Sequence, residues 1–317
     1  MGEAMNSQPW EIAVIGGGPG GYAAALYGAR AGRRVLVLEQ IGPGGQMAAT
    51  SQVDNYPGFD AGIEGYELGE RMKKGAERFG AQTWTVRVTG VELRSCPKRI
   101  QITGGSIEAE TVILATGAYP RKLGLPGEQE LQGKGISYCA ACDGMLYRGK
   151  TVVVVGGGNT AAGDALLLSK LCRRVYLVHR KDRLSADAVY ADALEHSRVE
   201  LIWDHQVTEL LHEERLTGVR LRSVKTGESR EVSCDGLFLA VGRVPDTELV
   251  AGQVERDAGG YLIADETTRT NLPGIFAVGD ARTKAVRQIV TAAADGAVAA
   301  HFAEEYLELR GERGERG

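Results

Sequence analysis

The sequence predicts an α/β fold built from two copies of one nucleotide-binding plan. A glycine-rich loop, Gly16-Gly17-Gly18-Pro19-Gly20-Gly21, follows a short apolar strand and opens an alanine-rich helix. A second loop, Gly156-Gly157-Gly158-Asn159-Thr160-Ala161, repeats that arrangement. Eighteen positions after Gly21 stands Glu39, and eighteen after Ala161 stands His179. Both close a second strand, where a Rossmann-like three-layer domain meets an adenosine ribose. Between the two copies lies Cys139-Ala140-Ala141-Cys142-Asp143-Gly144.

The elements follow in order. Glu11–Ile15 reads as a buried strand, Gly20–Ala31 as a helix and Arg34–Glu39 as a second strand, a βαβ opening. Met47–Pro57 is polar and irregular. Gly65–Phe79 has helical spacing, with Leu68, Met72, Ala76 and Phe79 on one face. Thr83–Leu93 and Arg99–Thr103 alternate as antiparallel strands, and Glu110–Ala115 is an apolar strand ending in Thr116-Gly117. The pattern restarts with a strand at Thr151–Val155, a helix at Thr160–Leu171 and a strand at Arg174–Val178. Residues 201–241 alternate again and end in Gly236–Gly242. Gly274–Asp280 is a strand and turn, Val286–Leu307 a long apolar helix, and Arg310–Gly317 a charged, glycine-containing tail expected to fray.

Composition bounds the function. At 317 residues the chain has room for two domains, and 43% apolar content suffices for ordinary cores. A net charge of −4 lacks the basic stripe of a nucleic-acid binder. No stretch approaches the roughly 18 apolar residues of a spanning helix, and no export signal is visible, so the expected location is cytoplasmic. Cys96, Cys139, Cys142, Cys172 and Cys234 make an odd set without framework spacing, which argues against a secreted, stapled fold.

In the first loop, Gly16 permits the tight turn, Gly18 admits a pyrophosphate and Gly21 allows close helix–strand packing. The helix N-terminus then presents its positive dipole end to phosphate. Glu39 suits ribose hydroxyls and repels a 2′-phosphate. In the second loop, Gly156, Gly158, Asn159, Thr160 and Ala161 form the same cradle, but the ribose position carries His179, Arg180 and Lys181, with Arg183 behind. Basic side chains there pair with a 2′-phosphate, which points to NADPH rather than NADH. The plain alternatives are a glycine turn and a solvated basic loop.

The CxxC admits three readings. A zinc site asks for about four ligands, yet there is no second CxxC and the five histidines are scattered, so no metal is expected. An inert pair of small residues is the second reading. A redox dithiol is the third: CxxC pairs at helix starts favour thiolate, and Asp143 beside Cys142 can carry the proton that exchange requires. Asp143 also suits a helix cap. Cys96, Cys172 and Cys234 read as ordinary thiols.

Together these residues resemble the low-molecular-weight, bacterial-type thioredoxin reductases. The likeness runs from about Glu11 to Leu307 through GGGPGGYAAALYGARAG, GPGGQ (42–46), DNYPGF (54–59), ILATGA (113–118), GISYCAACDG (135–144), GGGNTA (156–161), VGRVPDT (241–247), GIFAVGD (274–280) and RQIVTAAADG (287–296). The resemblance implies an FAD domain over 1–119 and 247–317, with an NADPH domain over 120–246 inserted in it and carrying the CxxC. It implies FAD contacts at Gly16, Gly18, Gly21, Glu39, Gly45, Gln46, Asn55, Val88, Gly117, Gly279, Asp280, Arg287, Gln288 and Ile289. It further implies that electrons pass from NADPH through FAD to Cys139–Cys142, with Cys142 facing the flavin, Asp143 as its acid–base partner and Cys139 attacking thioredoxin. A homodimer is expected, and so are hinges near Ala118–Lys122 and Arg243–Asp246.

Three departures stand out. The family's CATC reads CAAC. The last arginine of its HRRxxxR clamp is Ser185 here, and Lys181 replaces a planar guanidinium by a point charge. Gly163 and Asp164 interrupt a helix, where Gly163 costs about 1 kcal/mol relative to alanine unless something packs against it. The competing readings are an NADH-linked reductase of a glutaredoxin-like or peroxiredoxin-linked carrier, and a flavin redox sensor without turnover. The CxxC argues against a ferredoxin–NADP reductase type.

Overall fold

The structure is a computed structural model that describes residues 8–50 and 52–314; residues 315–317 of the tail read as frayed lie outside the described residues. Two compact units divide the chain: residues up to Tyr119 with those from Val244 onward, and Pro120–Arg243.

The first unit opens with β1 (Trp10–Ile15), α1 (Pro19–Arg30) and β2 (Val35–Glu39). Ile12, Val14, Leu36 and Val37 are wholly buried, because both faces of a central parallel strand are covered. α2 (Gly65–Glu77) packs Leu68 and Ala76 inward. Phe79 departs from the expected apolar face. The helix ends before it, and its ring is 42% exposed, with the Arg30 and Arg78 guanidinia 5.5 and 5.2 Å from its centre. The stretch read as one strand from Thr83 to Leu93 is two. β3 (Gln82–Thr85) joins β2 in parallel, whereas β4 (Val88–Glu92) pairs antiparallel with β5 (Lys98–Ile102). β6 (Gly105–Leu114) starts earlier than the apolar run suggested, since its first half pairs with β5 and its second with β1. The strand order is β3-β2-β1-β6-β5-β4.

The chain leaves this unit through β7 (Ala118–Pro120). The second unit contains β8 (Ile136–Ser137), α3 (Ala140–Asp143), β9 (Thr151–Gly156), α4 (Asn159–Ser169), β10 (Arg174–Val178), α5 (Ala188–Glu195) and β11 (Val199–Ile202). An antiparallel meander follows, β12 (His205–His212), β13 (Leu216–Ser223) and β14 (Ser229–Ser233), and then β15 (Gly236–Ala240). The parallel sheet has the order β11-β10-β9-β15-β8. Thus the second loop, like the first, joins a buried central strand to a helix. α4 runs through Gly163 and Asp164 without a break. α5 was not expected from the sequence.

The return passes through β16 (Arg243–Pro245), paired with β7. β17 (Ile275–Ala277) then joins β6 in parallel, and α6 (Ile289–Gly314) packs along α1. α6 begins three residues after Val286 and continues past Leu307, so its start falls at the last of the expected Arg287-Gln288-Ile289 run.

Candidate functional site

Each loop is shaped for phosphate by close packing. A Cβ at Gly21 would run into the Gly16 carbonyl oxygen, and Gly16 itself has φ +106°. Gly18, by contrast, has nothing within 4 Å of a built Cβ, so its backbone stands open before the α1 N-terminus. This is the fit a pyrophosphate requires. Glu39 closes β2 and braces the loop: its carboxylate accepts the N–H of Gly17 at 2.6 Å, of Ile41 at 3.0 Å and of Gly42 at 3.4 Å. A carboxylate has about four acceptor positions, so capacity remains for a ribose hydroxyl.

The other expected flavin residues are distributed over this first unit. Gly45 and Gln46 begin an exposed 3-10 turn at Gly45–Ala49. Asn55 Nδ2 donates to Gln288 Oε1 at 3.1 Å, which joins two expected contacts across 233 residues of chain. Val88 heads β4, half-buried against Ile102 in the neighbouring strand. Gly117 has φ +74° just before β7. Gly279 and Asp280 lie on a 3-10 turn after β17, and the Arg287 guanidinium stacks 4.0 Å over the Tyr261 ring. Ile289 opens α6.

Sequence reasoning missed what holds this turn. Asp295 of α6 accepts the Gly279 N–H at 2.9 Å, Lys284 Nζ at 2.8 Å and an Arg282 nitrogen at 3.0 Å, all three charged side chains being nearly buried. Its signal was an acid in the apolar first half of the helix. A buried carboxylate persists only where cations and N–H groups satisfy it.

In the second unit, Gly156 has φ +156°, Gly158 is open apart from Ser185 Oγ at 3.9 Å, and Ala161 is wholly buried. Asn159 and Thr160 begin α4. Asn159 exchanges two 2.8 Å hydrogen bonds with Asp187, the residue before α5, a partner the sequence reading did not identify. His179 follows β10 and lies against Gly157, the position that Glu39 takes against Gly17 in the first unit. Its ring lies where a Cβ on Gly157 would fall, edge-on to Trp203, and burial holds its pKa below the ordinary value. Ser185 fastens the same glycine, since its N–H and hydroxyl both donate to the Gly157 carbonyl, at 2.7 and 3.0 Å. Arg180, Lys181 and Arg183 are exposed and make no ion pair among the described residues.

Cys139 and Cys142 form a disulfide with Cα atoms 5.3 Å apart, spanning the first turn of α3. Asp143 follows directly. Burial raises its pKa, and the hydroxyl of Ser137, donating to Oδ2 at 2.7 Å, opposes that rise. The peptide before the disulfide is tied down as well. Tyr138 Oη donates at 2.8 Å to Glu128, a 3% exposed carboxylate that also accepts the N–H groups of Leu123, Gly124 and Leu125. Of the other cysteines, Cys96 is exposed, whereas burial pushes Cys172 up to about 11 and Cys234 to about 12. Those two buried thiols stay protonated and inert at neutral pH.

Comparison with known proteins agrees with this geometry. The family described as "Pyridine nucleotide-disulphide oxidoreductase" matches residues 10–296. Thioredoxin reductase of Treponema pallidum is 43% identical over 300 residues, covering 94% of this chain and 97% of that protein. Thioredoxin reductase of Streptomyces clavuligerus is 45% identical over 93% of each chain. The crystal structure of thioredoxin reductase from Streptococcus pyogenes superposes with a TM-score of 0.87 at 40% identity, over 94% of this chain and 98% of that one. With two glycine-rich strand–loop–helix turns, a CxxC disulfide and a family match over most of its length, the chain belongs to the pyridine nucleotide-disulphide oxidoreductases.

Proposed function

We propose that this chain is an NADPH-dependent thioredoxin reductase. FAD is held by the first unit and NADPH by the second, whose compact part ends at Arg243, three residues before the boundary of 246 read from the sequence. The observation that carries the reading is the Cys139–Cys142 disulfide beside a buried acid, in the unit that also carries the second phosphate loop.

FAD, when bound, supplies two-electron chemistry between a nicotinamide and a disulfide. The residues of the chain do the rest. Gly16, Gly18 and the α1 N-terminus hold the FAD pyrophosphate, and Glu39 its ribose. Arg287, Gln288 and Ile289 lie along the ring system, Gln46 and Asn55 also hold the flavin, and Asp280 accepts from the ribityl chain. Reduction breaks the Cys139–Cys142 bond and requires two protons. Asp143, whose burial favours the neutral acid, delivers one of them to Cys142. Cys139 then attacks the disulfide of thioredoxin, and Cys142 resolves the mixed disulfide with Asp143 taking its proton back. Arg180, Lys181 and Arg183 hold the 2′-phosphate. A homodimer in a reducing cytoplasm is the setting that fits this chemistry.

Ser185 favours a second reading. It stands where the resemblance places an arginine, and its hydroxyl is engaged by Gly157. Fewer cations then face a 2′-phosphate, which would bring NADH into use. Anaerobic titration of the holoenzyme with each nucleotide separates the two. Flavin bleaching at a several-fold lower concentration of NADPH than of NADH supports the proposal, and equal bleaching supports the second reading. The Cys142→Ser enzyme is expected to bleach normally with NADPH yet lose thioredoxin reduction by more than 100-fold, on the order of what removing a covalent group costs.

A further inference from the structure

Ser137 lies two residues before the disulfide, and nothing above gives it a role in the chemistry. It is 3% exposed. Its backbone is fixed by β8, where Ile136 and Ser137 pair with Leu237 and Phe238 of β15. Its one hydroxyl contacts both ends of the reactive segment. Oγ donates to Asp143 Oδ2 at 2.7 Å and accepts the Cys139 N–H at 3.1 Å. A serine hydroxyl has one proton and two lone pairs. The shorter contact to the carboxylate takes the proton, and the Cys139 carbonyl, 3.3 Å away, is the weaker acceptor.

We infer that Ser137 is a positioning residue for disulfide reduction: a single buried hydroxyl that aims the Asp143 carboxyl and holds the Cys139 backbone while the Cys139–Cys142 bond opens and closes. The inference rests on the redox reading of the disulfide given above, and it goes beyond it by naming the group through which the acid and the attacking cysteine are held in one geometry.

Ser137 sits on a strand of the parallel sheet, so its position does not depend on the state of the disulfide. Cys139 is the residue before α3, where N–H groups lack intrahelical acceptors, and Ser137 Oγ satisfies its N–H. The hydroxyl also favours the carboxylate form of Asp143, by a charge-assisted hydrogen bond, against the burial that favours the acid. The hydroxyl thus opposes burial at the group that gives and later takes back a proton. The ionisable neighbours leave this balance to Ser137. Tyr147 on the following turn feels Asp143, and Arg215, Cys234 and Asp235 act on Tyr147; Asp164 is the charged side chain of α4, which packs on α3. Burial and the Ser137 hydroxyl are what move Asp143 itself.

The test uses the oxidised holoenzyme with 13C-labelled aspartate, the Asp143 signal being assigned by its absence in Asp143→Asn. Removing the hydroxyl in Ser137→Ala is expected to move the carboxyl titration to higher pH, and Ser137→Thr, which restores an Oγ, to bring it back. The matching limb of the pH profile for thioredoxin turnover is expected to move in the same direction. A titration that stays in place in Ser137→Ala, or that moves equally in the threonine enzyme, overturns the inference. If the alanine enzyme does not fold, amide exchange in the wild-type chain decides. The Cys139 amide is expected to be protected, and exchange at the rate of an open loop overturns the inference. Should wild-type enzyme reduce no thioredoxin with NADPH, the proposed function fails, while the carboxyl titration still reports on Ser137.

Discussion

Asp143 and Asp164 are both carboxyls that burial pushes toward the neutral acid, and their different surroundings give them different consequences. Asp143 has a hydroxyl donor and a disulfide beside it. Asp164, on α4, is pushed up to about 6 by burial, with Arg243 pulling the other way. The folded chain therefore binds its proton more tightly than the unfolded chain does. The stability this contributes is full below the ordinary carboxyl value of 3.8 and is lost as pH rises through about 6. Asp164→Asn keeps the shape and removes the charge. Its melting temperature is expected to exceed that of the wild type at pH 7.5, with the gap narrowing as pH falls through 6 towards 4; a gap that does not change across that range would show that ionisation of Asp164 is not its cause. Single residues were unevenly legible. The glycines were readable because backbone sterics dictate them. The contact of the His179 ring with Gly157 was not, since position at the end of a strand does not tell which loop atoms a side chain meets.

At the scale of elements, α4 shows how far propensity reaches. Gly163 reads as a breaker, yet the helix is continuous from Asn159 to Ser169 because its buried face, Ala161, Ala162, Ala165 and Leu168, packs on the sheet. Tertiary burial of that face outweighs a penalty of about 1 kcal/mol. The nearest atom to a Cβ built at Gly163 is Tyr190 Cε1 at 3.6 Å, an ordinary contact. Gly163→Ala is thus expected to stabilise the protein by about 1 kcal/mol, read as a higher denaturation midpoint in urea with an unchanged slope. The split of Thr83–Leu93 into β3 and β4 was hidden for a related reason. Alternation reports a strand and its face, but the partner, β2 or β5, lies elsewhere in the chain. α5 escaped notice because its eight residues bury only Leu194, leaving little periodic signal.

Across the whole molecule, the apolar cores keep to their own units. The clusters around Val153, Leu237 and Leu239 and around Val152, Leu168 and Phe238 draw every member from Pro120–Arg243. Those around Leu36, Leu114 and Ile275 and around Val14, Ile113 and Phe276 draw every member from the remainder. A segment of residues 120–243 accordingly has what an independent domain needs. Expressed alone, it is expected to melt in one cooperative transition by circular dichroism and to retain its disulfide; a non-cooperative melt would show that it depends on the rest of the chain.

The sequence by itself determined the two glycine-rich loops, the strand–loop–helix order around each, and the adjacency of the CxxC and its acid, because these depend on neighbours a few residues apart. Spacing and backbone sterics are local quantities that a chain displays before it folds. Only the tertiary structure decided that Ser137 joins Asp143 to Cys139, that Ser185 is engaged by Gly157 and that Asp295 braces Gly279. A hydrogen bond depends on distance and direction in space, and burial decides whether it matters. Neither is set until the sheets and helices have packed.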